Sequence, residues 1–424
     1  MTSKARWTVL TYIAAHNNLD KFGKKSLMEI LNVGSTPDVV QGALYDGGAG
    51  AARYVMGDPG AVERQEQLGH FDSGDPDGLI AAARWLFEQY PAERYGLVLW
   101  SHGSGWEPGE IESIAKEVRP DSQVGGAESK ERSSAPGSRA LFRTTLHSLL
   151  KPEKSAERAI LFDDGTGHSL DTVELGRVSG AIAEAVGQPL EVLGMDACLM
   201  ANLEVAYELR AAVRYLVASE ELVPGHSWPY PQIFRALRVG PDQDGADIAQ
   251  LIVDRYVSFY AAQPPAAGDV TMVALDLGRI AELVHATDRL ADALRVDMNK
   301  VGDVLWQIQR DAQQHETRDG KRQPNKFDHH LWDIGSLAAG LVGSDAISTP
   351  VRQTAENTVK ALLPGTGGVL AEGHHGAWFD RIGGVSVYLM PPGLQRISPS
   401  YTKLAFAKDT QWDEMLSAYH EYFS

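Results

Sequence analysis

The chain has a single cysteine, Cys198, which follows the short apolar run 190–195 and Asp196. A lone thiol has no partner for an internal disulfide, and it cannot complete a cysteine-rich zinc site. In an intracellular enzyme, one cysteine with a histidine elsewhere in the sequence is a candidate nucleophile. The alternative is a small buried apolar residue, the commoner role of a free cysteine. A second motif at the end of an apolar run, Trp100-Ser101-His102-Gly103-Ser104-Gly105-Trp106, supplies the histidine.

The surroundings of Cys198 suit a nucleophile. A cysteine attacks as the thiolate, so it needs a nearby base or a positive electrostatic environment, and His102 is the candidate base. Ala201 and the stretch 203–212 are predicted to form a helix after Cys198, whose N-terminal dipole would favour negative charge there. Glycine lets the backbone approach a substrate carbonyl closely, so the amides of Gly103 and Cys198 are the expected oxyanion hole.

Asp196 is a poor activator of the thiol two residues away, because a nearby carboxylate raises a thiol pKa. It is better placed at the base of a pocket for a cationic side chain. An arginine or lysine of a substrate would supply the opposite charge, and arginine can pair with a carboxylate through two hydrogen bonds. Ser219 and Glu220 follow another predicted strand, and we assign them to the same substrate-binding rim.

Short apolar runs alternate with amphipathic stretches in the N-terminal half, which predicts an α/β fold with a mostly parallel sheet flanked by helices. Ligands bind outside the carboxyl ends of the strands in open α/β sheets, so these motifs should share one rim. The predicted strands are 7–14, 52–56, 96–100, 159–162, 191–195, 215–218, 270–276 and 384–390. The predicted helices are 24–31, 79–89, 173–185, 203–212, 245–263 and 280–309.

The predicted organisation is a core over residues 1–235 and a C-terminal α+β region over residues 245–424 that packs on it. The segment 107–138 interrupts the core. It is rich in Gly, Ser, Glu and Lys, a composition that cannot bury enough apolar surface to order itself, so we expect an exposed, flexible loop. A solvated insertion of no consequence is the alternative.

Composition narrows the classes of partner. The chain has 424 residues, of which 43% are hydrophobic and 22% charged, as in a soluble globular protein. Its formal net charge of −17 disfavours nucleic acid and anionic membranes, which need a basic surface, and favours cationic ligands. The apolar stretch 7–15 is too short to span a bilayer. With one cysteine and no targeting segment, the expectation is a cytoplasmic monomer.

Two motifs resemble the clostripain family of cysteine peptidases, which has the caspase-like fold. They are Leu97-Val98-Leu99-Trp100-Ser101-His102-Gly103-Ser104-Gly105-Trp106 and Met195-Asp196-Ala197-Cys198-Leu199-Met200. Further segments are similar to the family: 11–19, 163–167, 219–221, 228–230, 384–388 and the end around Trp412. The resemblance therefore covers most of the chain.

The resemblance implies a caspase-like three-layer α/β/α sandwich and an endopeptidase with a His102/Cys198 dyad. It also implies that Asp196 forms a pocket for Arg or Lys before the cleaved bond, in protein or peptide substrates. A maturation cut between the two catalytic motifs, in residues 107–143, is a further implication. The candidate autocleavage positions are Arg119, Lys130, Arg132, Arg139 and Arg143.

The chain departs from the family at two positions near the expected rim. His16 and Ser101 stand where the family often has Asp, so substrate affinity or the response to calcium can differ. Some relatives depend on calcium, but no EF-hand-type loop is present. We expect no required cofactor and assign no metal ligands, with calcium the one candidate. Four residues offer carboxylate oxygens, although a capped turn entering a helix is the favoured role: Asp163, Asp164, Asp171 and Glu174.

Two other functions remain open. The first is a catalytically idle binding or regulatory protein with the same fold, because fold alone does not establish activity. The second is a metal-dependent hydrolase that uses the pairs His329-His330 or His374-His375. Neither pair has the spacing of a helical zinc motif, and adjacent side chains diverge on a regular element.

Overall fold

A nine-stranded sheet forms the centre of the protein in the computed structural model, which describes residues 4–106, 160–263, 270–316, 331–376, 383–390, 397–398 and 400–424. Its strands are β1 (Ala5–Ala15), β2 (Val39–Gly47), β3 (Gly50–Met56), β4 (Val62–Gly69), β5 (Ala92–Trp100), β6 (Leu190–Asp196), β7 (Val213–Ala218), β8 (Val270–Asp276) and β10 (Val369–His375). The strands β9 (Leu331–Asp333) and β11 (Ser386–Tyr388) pair separately.

The strand order is β10-β8-β7-β6-β5-β1-β2-β3-β4. The five strands from β7 to β2 are parallel to their neighbours in the middle of the sheet. The outer strands on both sides are antiparallel. The predicted parallel sheet is therefore confirmed at its centre, where the connections between strands are long enough to hold helices.

Helices cover both faces of the sheet. Along β1, Trp7, Val9 and Ile13 pack into one apolar cluster, whereas Leu10 and Tyr12 pack into the other, because successive strand side chains point to opposite faces. This confirms the three-layer α/β/α arrangement. The helices are α1 (Asp20–Val33), α2 (Pro76–Gln89), α3 (Thr172–Val186), α4 (Leu203–Leu209), α5 (Tyr230–Val239), α6 (Gly245–Ala261), α7 (Ile280–Val296), α8 (Met298–Glu316), α9 (Ile334–Val342), α10 (Thr349–Ala361), α11 (Ala405–Asp409) and α12 (Trp412–Tyr422).

Four strands, β2, β4, β9 and β10, were not predicted. Gln41 and Gly42 interrupt the apolar run of β2, although both residues are buried in the sheet. The edge strand β4 is polar and mostly exposed, so it lacks the alternation that marks a half-buried strand. It pairs with β3, and an ion pair between Arg53 and Glu66 joins the two strands.

Three predicted elements have different limits in the structure. The predicted helix 280–309 is two helices, α7 and α8, separated at Asp297, which ends the first with a hydrogen bond to Ala293. The predicted strand 159–162 is wrong: Ile160 forms only isolated bridges with Gly103 and Leu170. The helix predicted from Ala201 begins later, at the first residue of α4.

The region after residue 245 contributes β8 and β10 to the central sheet. The division into 1–235 and 245–424 stays a prediction. Glu204 of α4 connects the two parts, because its Oε1 accepts hydrogen bonds from the Tyr388 amide at 3.0 Å and the Tyr401 hydroxyl at 2.8 Å. Burial raises the pKa of Glu204 to about 7.

The raised pKa of Glu204 predicts a pH-dependent stability. A carboxyl whose pKa is higher in the folded state stabilises the fold fully below its unfolded pKa and loses this contribution as pH rises through the folded pKa. The free energy of unfolding should therefore fall between pH 4.5 and 7, by about 1.4 kcal/mol for each unit of pKa shift. Glu204→Gln keeps an acceptor for both tyrosines and should show a smaller fall, measured by denaturant titration at pH 5 and pH 8.

The matched control is Glu208→Gln on the same helix, where the carboxylate accepts from the Ala405 amide and is partly exposed. An equal pH dependence in wild type and Glu204→Gln would contradict the prediction.

Candidate active site

The motifs that contain His102 and Cys198 lie at the carboxyl ends of neighbouring parallel strands. In the pairing of β5 with β6, Trp100 is opposite Asp196. His102 and Cys198 are each two residues further along, and the Ser101 amide bonds the Asp196 carbonyl at 3.4 Å. The sheet register therefore places side by side two motifs that lie almost a hundred positions apart in the sequence.

Gly103 lies directly against the turn that contains Cys198. A Cβ built at this position would meet the carbonyl oxygen of Cys198 at 2.5 Å and the side chains of Ala197 and Met200 at 3.0 Å. Any side chain would push the two motifs apart, which explains glycine after His102. The role of the Gly103 and Cys198 amides as oxyanion donors stays a prediction.

His102 is buried, and its Nε2 lies 3.0 Å from the amide oxygen of Asn18. An amide oxygen only accepts, so this contact places the imidazole proton on Nε2 and leaves Nδ1 as the basic nitrogen. The ring meets Phe162 edge-on at 6.1 Å between centroids. Burial lowers the pKa of His102 to about 3, so the ring is neutral at pH 7.

Asn18 was missed as a site residue. The segment 11–19 contributed to the family resemblance, but one asparagine in a polar run carries no sequence signal for a contact with His102. The neighbouring Asn17 fixes the loop, because its Nδ2 donates to the carbonyls of Ala14 at 3.1 Å and Phe162 at 2.8 Å.

Cys198 is buried, and its Sγ accepts a hydrogen bond from the Val223 amide at 3.3 Å. Burial raises the pKa of the thiol to about 12, against the smaller lowering effect of this hydrogen bond. In this environment the neutral thiol and the neutral imidazole are favoured over a charged pair. The arrangement suits a histidine that removes the thiol proton during attack.

The helix after Cys198 does not begin at the nucleophile. It starts at Leu203 and is capped by Asn202, whose Oδ1 accepts from the Val205 amide at 3.3 Å. The expectation that a helix dipole activates Cys198 is therefore not supported by the position of this seven-residue helix. The turn is instead built by Leu199, which has a left-handed φ of 63°.

Left-handed backbone at non-glycine residues concentrates around this site. In the described part of the chain such residues are Leu161, Leu199 and Ser227. Leu161 precedes Phe162, which contacts His102, and Ser227 bonds Asp196. Strained conformations of this kind persist where surrounding structure holds them, and they cluster at functional sites.

Asp196 is two residues before Cys198 and is buried. Its Oδ2 accepts hydrogen bonds from the Ser227 hydroxyl, the Trp228 amide at 3.2 Å and the Tyr230 hydroxyl at 2.8 Å. Its Oδ1 is buried and has no hydrogen-bond partner. Burial raises the pKa of Asp196 to about 6, and the three donors oppose this shift. A cationic side chain that reached Oδ1 would supply the missing partner.

The other two predicted substrate-binding residues, Ser219 and Glu220, have different surroundings. Ser219 is fully buried, and its hydroxyl contacts Thr271 Oγ1 at 2.9 Å and the Glu221 carbonyl at 3.0 Å. Glu220 has both carboxylate oxygens buried, and its pKa is raised by burial and then by the charge of Asp333. A role for either residue in substrate binding stays a prediction.

Possible metal ligands lie elsewhere on this edge of the sheet. Among the described residues, a group of three that could hold a metal ion is His16, Asp46 and Asp163. Of the other candidate oxygen ligands, Asp171 and Glu174 form a capping box at the start of α3, as the sequence favoured.

The two histidine pairs do not gain support as metal sites. His374 and His375 are neighbours in β10, where adjacent side chains point to opposite faces, and His374 Nδ1 lies 2.8 Å from Glu372. The pair His329-His330 lies outside the described residues. So do the five autocleavage candidates, Arg119, Lys130, Arg132, Arg139 and Arg143, and the predicted loop 107–138.

Across the described ranges, every helix is too short or too polar to cross a bilayer.

Comparisons with known proteins point to one family. The sequence model of the clostripain family, peptidase family C11, matches residues 11–124 and 148–419. Clostripain of Hathewaya histolytica is 25% identical over 182 residues, which are 41% of this chain. The matched part spans only 26% of that relative's length.

Two solved structures share the fold over nearly the whole chain. A secreted C11 cysteine protease of Bacteroides thetaiotaomicron, in complex with an irreversible peptide inhibitor, has a TM-score of 0.63 at 19% identity and covers 97% of this chain and 100% of its own. An inactive zymogen C11 protease of Parabacteroides distasonis has a TM-score of 0.60 at 16% identity and covers 96% of this chain and 99% of its own. Because the family model matches most of the sequence, the chain belongs to the clostripain family of cysteine peptidases.

Proposed function

We propose that the protein is a cysteine endopeptidase that cleaves after Arg or Lys through His102 and Cys198. The observation that carries the proposal is the register of β5 and β6, which sets the two side chains at equivalent positions beyond adjacent strands. Covalent catalysis needs a nucleophile and a base held near each other by a rigid scaffold, and two neighbouring strands of one sheet provide such a scaffold.

In the proposed mechanism, Cys198 Sγ attacks the carbonyl carbon of the scissile bond while His102 Nδ1 takes the thiol proton. Asn18 accepts from Nε2 and stabilises the imidazolium that forms, as a positioning residue. The amides of Gly103 and Cys198 hold the oxyanion. The C–N bond then breaks, and the leaving amine takes the proton from His102. Water, deprotonated by the same imidazole, hydrolyses the thioester and restores the thiol.

Replacement of either dyad residue should abolish turnover. With a fluorogenic peptide that has Arg before the cleaved bond, Cys198→Ala and His102→Ala should each lose at least about 10³-fold in kcat. Iodoacetamide should inactivate the wild type by modifying one thiol, since the chain has one cysteine. The control is His285→Ala, an exposed histidine on α7.

Equal turnover in wild type and Cys198→Ala would reject the peptidase proposal and favour an idle binding protein. Loss of turnover in a chelator, with full activity after alkylation, would favour the metal-dependent hydrolase.

The preference for Arg or Lys rests on Asp196, whose buried Oδ1 lacks a hydrogen-bond partner. Alanine at this position would leave three donors unpaired and would destabilise the fold, so asparagine is the sharper test. Asp196→Asn should keep these hydrogen bonds and a near-normal melting temperature. Its kcat/KM for an Arg peptide should fall at least tenfold relative to the matching citrulline peptide, because the charge is lost.

The control for net charge is Asp254→Asn, which removes an exposed carboxylate on α6. An Asp196→Asn variant that keeps the wild-type preference for Arg would reject the pocket.

Self-processing in residues 107–143 is supported by the burial of both dyad residues in the uncut chain. Both His102 and Cys198 are buried, with exposed fractions of 1% and 4%. Four of the five candidate positions also fall in residues 125–147, between the two segments that the family model matches.

Purified wild-type chain should therefore convert into two fragments, and its turnover should rise as it does so. Mass spectrometry should place the cut after Lys130, Arg132, Arg139 or Arg143, and replacement of these four by alanine should prevent it. The Cys198→Ala chain should stay intact. A wild-type chain that stays intact while fully active, or a cut that also occurs in Cys198→Ala, would reject self-processing.

The cellular location remains a prediction. The low cysteine content supports a reducing, cytoplasmic setting. The Bacteroides protease that shares the fold is described as secreted.

A further inference from the structure

A mixed group of ligand atoms lies at the carboxyl edge of the sheet, beside the loop that contacts His102. His16 follows β1, Asp46 is the next-to-last residue of β2, and Asp163 lies in the segment after Phe162. One ligand atom from each residue lies within 4.8 Å of the other two. The three residues come from separate parts of the chain, and the pairing of β1 with β2, in which Ala14 is opposite Asp46, brings the first two together.

The Asp163 carboxylate is held in a fixed orientation. Its Oδ1 accepts from the amides of Gly165 at 2.7 Å and Thr166 at 3.2 Å, and its Oδ2 accepts from the Ser73 amide at 3.2 Å. Backbone donors that orient a carboxylate in this way are typical of the outer shell of a metal site.

The other two residues present buried, unpartnered atoms to the same space. Asp46 is 2% exposed, and its Oδ2 has no hydrogen-bond partner. His16 Nδ1 is also buried and lies 3.0 Å from Asp163 Oδ1, without the alignment of a hydrogen bond. Gly165 closes over the ring, since a Cβ there would overlap the His16 imidazole. Burial and the charge of Asp163 raise the pKa of Asp46 to about 6.

We propose that His16, Asp46 and Asp163 bind one divalent transition-metal cation of the zinc class. Two carboxylates and one imidazole form a ligand set that zinc accepts, with water in a fourth position on the side where the His16 ring is partly exposed. Calcium prefers six to eight oxygen ligands, which this set does not offer. A cation would also neutralise two buried carboxylates that repel each other.

The proposed role of the cation is structural. It would join the residues after β1 to the segment 160–166, the same two segments that Asn17 connects through its hydrogen bonds to Ala14 and Phe162. Asn18, next in the chain, contacts His102. The bound cation would therefore stabilise the loop that positions the histidine. The site itself does not depend on the peptidase proposal, because it contains neither dyad residue.

The test is metal binding in the full chain carrying Cys198→Ala, which removes the thiol as a competing zinc ligand. After treatment with a chelator and its removal, Zn²⁺ and Ca²⁺ are titrated separately by calorimetry, and bound metal is counted by elemental analysis. One Zn²⁺ per chain is expected, bound at least tenfold more tightly than Ca²⁺, with a rise in melting temperature. Adding His16→Ala or Asp46→Asn should weaken zinc binding at least tenfold.

His16 is 34% exposed on its side chain, so its replacement should leave the fold intact, and melting of each variant without metal checks this. The control is His374→Ala, which removes a histidine beside a different carboxylate, Glu372. Three results would overturn the proposal: no bound metal; calcium bound as tightly as zinc; or zinc binding unchanged by His16→Ala and Asp46→Asn.

Discussion

The parallel pairing of β5 with β6 is the constraint on which the site depends. Trp100 and Asp196 are opposite each other in this pair, so the segments that follow β5 and β6 leave the sheet side by side. Gly103 then contacts the carbonyl of Cys198 so closely that no side chain fits between them. A shift of one strand by one residue in this register would turn its motif to the opposite face of the sheet and separate it from the other motif.

Burial sets the chemistry of the resulting pair. Because both side chains are removed from water, the pKa of His102 falls to about 3 and the pKa of Cys198 rises to about 12. A charged pair is disfavoured, and the hydrogen bond from His102 to Asn18 instead selects the tautomer with a basic Nδ1. The same burial leaves Asp196 with one carboxylate oxygen that lacks a hydrogen-bond partner.

The sequence predicted the strongest elements and failed where local pattern and tertiary position disagree. Continuous apolar runs identified four of the five parallel central strands, all except β2, because strands buried on both faces are apolar along their length. The polar edge strand β4 has no such run, and its strand conformation comes from pairing with β3. The helix after Cys198 was placed too early, because nothing in the sequence marks the left-handed turn at Leu199.

By itself, the sequence nominated a nucleophile, a base and an acidic pocket residue, since one cysteine, a His-Gly motif and an Asp-x-Cys motif each follow an apolar run. Only the tertiary structure decided their surroundings. Asn18 beside His102, the three donors on Asp196 and the group of His16, Asp46 and Asp163 all join residues far apart in the chain. Such contacts depend on strand order and register, which arise from the packing of the whole sheet rather than from any local pattern.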